Sequence, residues 1–360
     1  MNKIKLVFLI VLLLAAGCTP QKQVLEDIQL IGVVGYDYVD GKKFEATVAV
    51  PITTGGTQQA TLSSITFSEK SHSSKNIRQV LQAESPRPFA TGRVAVILFN
   101  EELASRGITK IIDSLQRDPS VGRNIYVAVA KGKTKDILNK QYPVGEIVPV
   151  YLKRMIEQNM ELTLPRANFH LFNYSYYGKG SDPFMPLIDT IHGHIRIAGV
   201  ALFDHSKYVD HISFNDAFIF KLMYQNFQQG SHEFKFGKNK YLTLENLNSK
   251  VNYDIDHGNT NPEINMKIHI TGKINDAAGT PLYQKKTIDM IEKTIKKQTE
   301  HQTKAMVKRF QKEEIDPLGL GDRARSQSRH FNFKDWEKKY PDVPVHVKVS
   351  IRVTQAGIVE

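Results

Sequence analysis

His192 and His194 stand two apart, a spacing that would put two imidazoles on one face of a strand, within reach of one metal ion. No third ligand follows nearby in sequence, so the pair reads as structural and no metal is assigned. His232-Glu233 opens like the helix of a zinc protease, but Phe236 occupies the place of the second histidine. Asp254, Asp256 and Asn259 resemble the start of a calcium loop, but the turn glycine is out of register. Asn265 stands where the closing glutamate belongs, which makes this a solvated turn. Gly319-Leu320-Gly321-Asp322-Arg323-Ala324 has the spacing of a dinucleotide fingerprint. That motif needs a strand before it, whereas here a helical stretch precedes, so these glycines read as a helix stop. No Gly-x-Ser-x-Gly elbow and no Ser-x-x-Lys occurs. No catalytic residue, cofactor or metal is assigned, and the chain reads as a non-enzyme.

Cys18 is the only cysteine. Lys3 and Lys5 precede an uncharged apolar run, Leu6 to Leu14, and the small residues Ala15, Ala16 and Gly17 lead into Cys18. The run is too short for a mature membrane helix, and its flanks are those of a secretory signal. Leu14 to Cys18 resembles a bacterial lipobox, with Ala15 where leucine is commonest. The resemblance implies a diacylglyceryl group on Cys18 and cleavage just before it. Residues 1–17 are then a signal peptide, and the protein is held on the outer face of a cell membrane. One acyl chain, at about 0.8 kcal/mol per buried methylene, holds a protein only marginally, so stable attachment needs two. With Cys18 modified, no thiol remains for a disulfide or a metal.

The formal net charge is +11 and 41% of residues are hydrophobic. The basic residues are dispersed, and export argues against a nucleic-acid partner. A basic protein tethered at a membrane is drawn to anionic lipid. Lys296, Lys297, Lys304, Lys308 and Arg309 could meet such lipid, but they read more simply as the solvated face of an amphipathic helix.

These residues must be carried by elements that alternate in type. Residues 18–27 read as a lipidated tether. Ile28 to Val39 predicts a strand or strand pair broken at Gly32 and Gly35, and Phe44 to Val50 the returning strand after an Asp40-Gly41 turn. Helices are predicted from Ser74 to Glu84, at Glu101 to Ala104, at Ile108 to Leu115 and from Glu146 to Leu162, and strands at Arg93 to Phe99 and Ile125 to Ala130. Gly178 to Pro186 reads as a loop. From Ile195 onward the pattern is a strand, a helix (Asp216 to Phe227) and four more strand-like segments. A long helix follows from about Lys285 to Lys312, with polar Gln298 and Gln302 in the middle of its apolar stripe. Asp316-Pro317 and the two glycines end it, and a valine-rich strand closes the chain. The fold class is α+β. Mixed sheets packed with helices make an N-terminal domain, residues 28–194, of one or two subdomains. An antiparallel sheet with one long helix makes a C-terminal domain, residues 195–360.

Taken in order, several segments resemble the Ger(x)C lipoproteins, the C subunits of nutrient germinant receptors in spore-forming bacteria. They are Ile28 to Asp37, Arg87-Pro88-Phe89-Ala90-Thr91-Gly92-Arg93, Ile97 to Ile108, Leu115 to Pro119, Ala198 to Phe203, Asp316 to Gly321 and Trp336 to Pro341. The resemblance implies three domains of mixed sheet and helix. It also implies a complex with two integral-membrane receptor subunits, of A and B type, in the inner membrane of the spore. Only Cys18 carries over as a functional position. A solute-binding lipoprotein serving a transporter is the alternative, and a cell-wall enzyme ranks below it.

Overall fold

The computed structural model describes residues 27–54, 61–238, 240–276, 282 and 284–356. The chain enters through a short strand, β1 (Gln29–Leu30), passes Gly32 and continues as β2 (Val33–Asp40). The Asp40-Gly41 turn returns it as β3 (Lys43–Thr54), and β4 (Thr61–Ser71) completes an antiparallel meander. Helix α1 (Ser74–Glu84) is capped by Ser73, whose hydroxyl accepts from Asn76 N. Ile77 and Leu81 face inward while Val80 is largely exposed.

Strand β5 (Phe89–Ala90) lies parallel to β1. β6 (Val96–Asn100) feeds helix α2 (Glu101–Arg106), whose cap is Asn100 and whose stop is Gly107. Helix α3 (Thr109–Arg117) leads to β7 (Tyr126–Ala130). Strands β2, β6 and β7 pair in parallel and are covered on both faces, which is why Val96 to Phe99 form one continuous apolar run. Helices α4 (Thr134–Asn139), α5 (Val148–Leu162) and α6 (Phe169–Tyr177) follow. The stretch expected to be a loop contains the start of β8 (Phe184–Ile191). β9 (His194–Asp204) and β10 (Lys207–Ser213) complete an eight-stranded sheet of order β10-β9-β8-β7-β6-β2-β3-β4. Residue 194 therefore falls inside a hairpin, in which Ile191 pairs with His194.

Helix α7 (Phe214–Tyr224) is apolar apart from Asn215, Asp216 and Lys221, and Ala217 to Met223 are buried. Such a helix can only lie in a core. It packs between the large sheet and a second one, β11 (Ser231–Gly237), β12 (Lys240–Asp256), β13 (Glu263–Asp276) and β14 (Val345–Ala356). Two of the expected short strands are one: β12 runs seventeen residues through a bulge near Asn246. The second sheet is antiparallel through β13, but β14 joins parallel to β13. Helix α8 (Lys285–Lys312) makes the crossover that a parallel pair requires. Helices α9 (Leu320–Gln327) and α10 (Phe333–Lys339) lie between α8 and β14 in the chain. One apolar cluster extends from Val33 and Leu98 through α7 to Ile268 and Val349, so the two sheets share a core. A second fills the opposite face of the large sheet, under α1 and α3.

Candidate functional site

Four features hold side chains where they could act. The first clamps the two sheets together. Asp182, in the loop before β8, accepts from Asp316 N at 2.8 Å and from His205 N at 3.2 Å, while its own N donates to Asp316 O. Asp316 in turn accepts from Leu320 N and Gly321 N at 2.9 and 2.8 Å, capping α9. Burial pushes the Asp316 carboxyl up to about 7, against the pull of those two N–H groups and with Asp182 adding to the rise. Burial also raises Asp182, and the hydrogen bond that His205 donates to the Asp204 carboxylate raises His205. Asp182, Asp204 and His205 offer ligand atoms within 4.8 Å of one another. Both Asp182 oxygens already accept backbone hydrogen bonds, so the group acts here as a latch. Gly180 sits at φ +75°, with the backbone of Gly321 and Asp322 against it, and a Cβ there would lie 2.7 Å from Asp322 N.

The second feature is the treatment of sheet edges by α8. Glu300 accepts from Val349 N at 3.0 Å and Glu292 from Val353 N at 2.8 Å, both on the outer strand β14. The spacing explains the match. Eight residues of helix rise about 12 Å, and four residues of strand span about 13 Å. On the far edge, Gln298 bonds both the N–H and the carbonyl of Lys235 in β11. Free strand edges invite pairing with another chain, and these three side chains occupy backbone groups that would do so.

The third is a cleft of about 770 Å³ where the described chain begins, lined by Ile28, Leu30, Thr53, Arg87, Arg93 and Lys153 among others. The fourth is an apolar cavity of about 430 Å³ under α1, between Val34, Ile77, Leu81 and Ile97, with Arg78, Arg117 and Asp118 at its mouth. Arg78 and Asp118 pair at 3.3 Å. Tyr36 is buried in its lining, and that burial pushes its hydroxyl up to about 12.

Cys18 lies outside the described residues. His192 does not share a strand face with His194: it takes φ +47° in the β8–β9 turn, which splits the pair. His232 and Glu233 sit on β11 rather than a helix, and His232 stacks on Phe218. Asp254 and Asp256 end β12; the first pairs with Lys267 at 2.7 Å and the second accepts from Asn265 at 2.9 Å. Gly319 and Gly321 do not stop α8, which ends at Lys312 with Glu314 in a left-handed conformation. They open α9 instead, beneath the Asp316 cap. On α8, Lys297, Lys304 and Lys308 are exposed as expected and Lys296 is half-buried, whereas Arg309 binds Asp210 and the His211 carbonyl of β10. The inward stripe of α8 is filled at its middle by Thr299 and Thr303.

Residues 21–190 match the spore germination protein N-terminal domain, and residues 198–357 match the spore germination B3/GerAC-like C-terminal domain. The chain belongs to this spore germination family. It is 31% identical to spore germination protein GerQC of Bacillus cereus, over 99% of both chains. Against spore germination protein KC of Bacillus subtilis it is 23% identical, over 95% of this chain and 92% of that one. The crystal structure of the GerBC protein superposes with a TM-score of 0.59 at 17% identity, covering 89% of this chain and 97% of that one; it shares the fold. The Ger(x)C resemblance read from the ordered segments is thereby shown, as is the α+β class.

Several residues that matter here left little trace in the sequence. Asp182 carries no local signal. Lys221 lies inside an apolar helix run, yet its ammonium donates to the Met160 and Glu161 carbonyls at 2.7 Å, the last turn of α5. A lone lysine in an otherwise apolar helix was the available signal, since a buried cation must find acceptors.

Proposed function

We propose that this protein is the lipid-anchored C subunit of a nutrient germinant receptor, held through Cys18 on the outer face of the inner membrane of the spore. It works by binding protein, with two integral-membrane receptor subunits as partners, and performs no catalysis. The observation that carries this reading is the end-to-end likeness, both family domains in order and full-length overlap with a spore germination protein. The lipobox-like run before Cys18 supports the anchor. Tethering raises the local concentration of the subunit beside its partners.

A tagged full-length chain, purified from detergent-solubilised spore membranes, should bring down two polytopic membrane proteins in constant proportion. Recovery of transporter components, or of nothing, would overturn the partner assignment. Spores whose only receptor carries Cys18→Ala should fail to respond to nutrients. Normal germination of those spores would refute the role of the anchor.

A further inference from the structure

The cleft beside β1 has the composition of a surface meant for something anionic and partly apolar. Among the described residues, Arg87, Arg93, Lys153 and Arg154 line it together with a single acidic side chain, Glu157. All four basic residues are exposed. Lys153 pairs with Glu157 at 3.5 Å and Arg154 pairs with Glu146. Among the described residues, Arg87 and Arg93 have no acidic partner within 4.0 Å. Between the charges the lining is apolar, with half-buried Ile28, Leu30 and Ile52. Leu62, 55% exposed, pairs across strands with Thr53 of the same lining, so the two side chains share a face.

Chain length decides what this surface can meet. Asp27, the first described residue, stands nine positions after Cys18. Fully extended, that stretch reaches about 30 Å. A domain of this size has a radius of gyration of about 20 Å. A chain anchored at Cys18 can therefore lay the β1 end against the bilayer, while its far side stays out of reach.

We propose that this cleft is the membrane-facing surface, with Arg87 and Arg93 contacting anionic phospholipid headgroups and Ile28, Ile52 and Leu62 meeting the interfacial region. The proposal rests on the reading that Cys18 is lipidated. That orientation leaves the exposed lysines of α8, a helix packed on β14, α7 and β11, available to other partners.

The lipidated chain has no other thiol, so a single introduced cysteine can be labelled cleanly. The full chain carrying Thr53→Cys or Lys297→Cys, labelled with a fluorophore, is reconstituted into phosphatidylcholine vesicles with or without phosphatidylglycerol. Quenching is read from a headgroup spin-labelled lipid. The Thr53 label should be quenched only when phosphatidylglycerol is present, and the Lys297 label should not be quenched. Quenching should fade at about 1 M salt, where the Debye length is about 3 Å. Each basic residue near an anionic surface is worth about fivefold, so Arg87→Gln with Arg93→Gln should lower the docked-to-undocked ratio about thirtyfold. Quenching at Lys297 instead, or quenching at Thr53 that ignores charge and salt, overturns the proposal. Vesicle flotation separates the two readings: a chain that floats without Thr53 quenching refutes only the orientation, and a chain that does not float refutes the anchor and the orientation with it.

Discussion

Asp316 is the group whose protonation should be felt most directly at the junction of the sheets. Burial lifts its carboxyl from 3.8 to about 7, while Leu320 N and Gly321 N pull the other way. If burial wins, the folded chain keeps a proton between about pH 4 and 7 that the unfolded chain has released. Stability from this group is then intact below pH 4 and is lost as pH rises to 7. A shift of about three pH units corresponds to about 4 kcal/mol, at 1.36 kcal/mol per unit. Asp316→Asn is neutral at every pH and keeps one acceptor oxygen for α9. The wild-type advantage over this variant should therefore shrink by up to about 4 kcal/mol from pH 4 to pH 7.5. Urea unfolding followed by tryptophan fluorescence measures it well. Trp336 is the only tryptophan, is 3% exposed, and lies against Gly321. Asp182 titrates in both proteins, and what it adds to the rise at Asp316 is part of the difference. A difference that stays flat, or that grows with pH, would refute the reasoning: the two N–H bonds and the start of α9 would then favour the carboxylate more than burial opposes it.

Glu292→Ala with Glu300→Ala should cost about 1 kcal/mol per lost hydrogen bond and speed hydrogen exchange at Val349 and Val353, with dimers at the freed β14 edge detectable by light scattering. Lys221→Met should destabilise by about 2–3 kcal/mol, because the Met160 and Glu161 carbonyls lose a charged donor. Burial holds the Lys221 ammonium down to about 8. The folded chain therefore loses this proton before the unfolded chain does, and the wild-type advantage should widen between about pH 8 and 10.5 in the same unfolding assay. Gly180→Ala should cost about 2–3 kcal/mol of stability and lower the melting temperature, since its Cβ would press on the Gly321–Asp322 backbone at a positive φ; an unchanged melting temperature would mean the loop can back away.

Local chemistry alone determined much of this protein. The apolar run in Arg93 to Phe99 announced a strand, Asn100 and Gly107 bounded α2, and Asp40-Gly41 placed a hairpin turn. These signals act between neighbours in the chain, through side-chain size, backbone freedom and a single capping bond. The ordered segments also carried the family. Tertiary structure decided the rest. It split His192 from His194 by placing a turn between them, and it merged two predicted strands into β12. It turned Gly319 and Gly321 from a helix stop into a helix start, because the fold brings the Asp316 carboxyl onto the Leu320 and Gly321 amides. It gave Glu292, Gln298 and Glu300 their work at sheet edges and gathered Arg87, Arg93 and Lys153 around one cleft. Hydrogen bonds and charge clusters between residues tens of positions apart depend on where the backbone returns. No window of sequence contains that information, because it resides in the packing of one element on another.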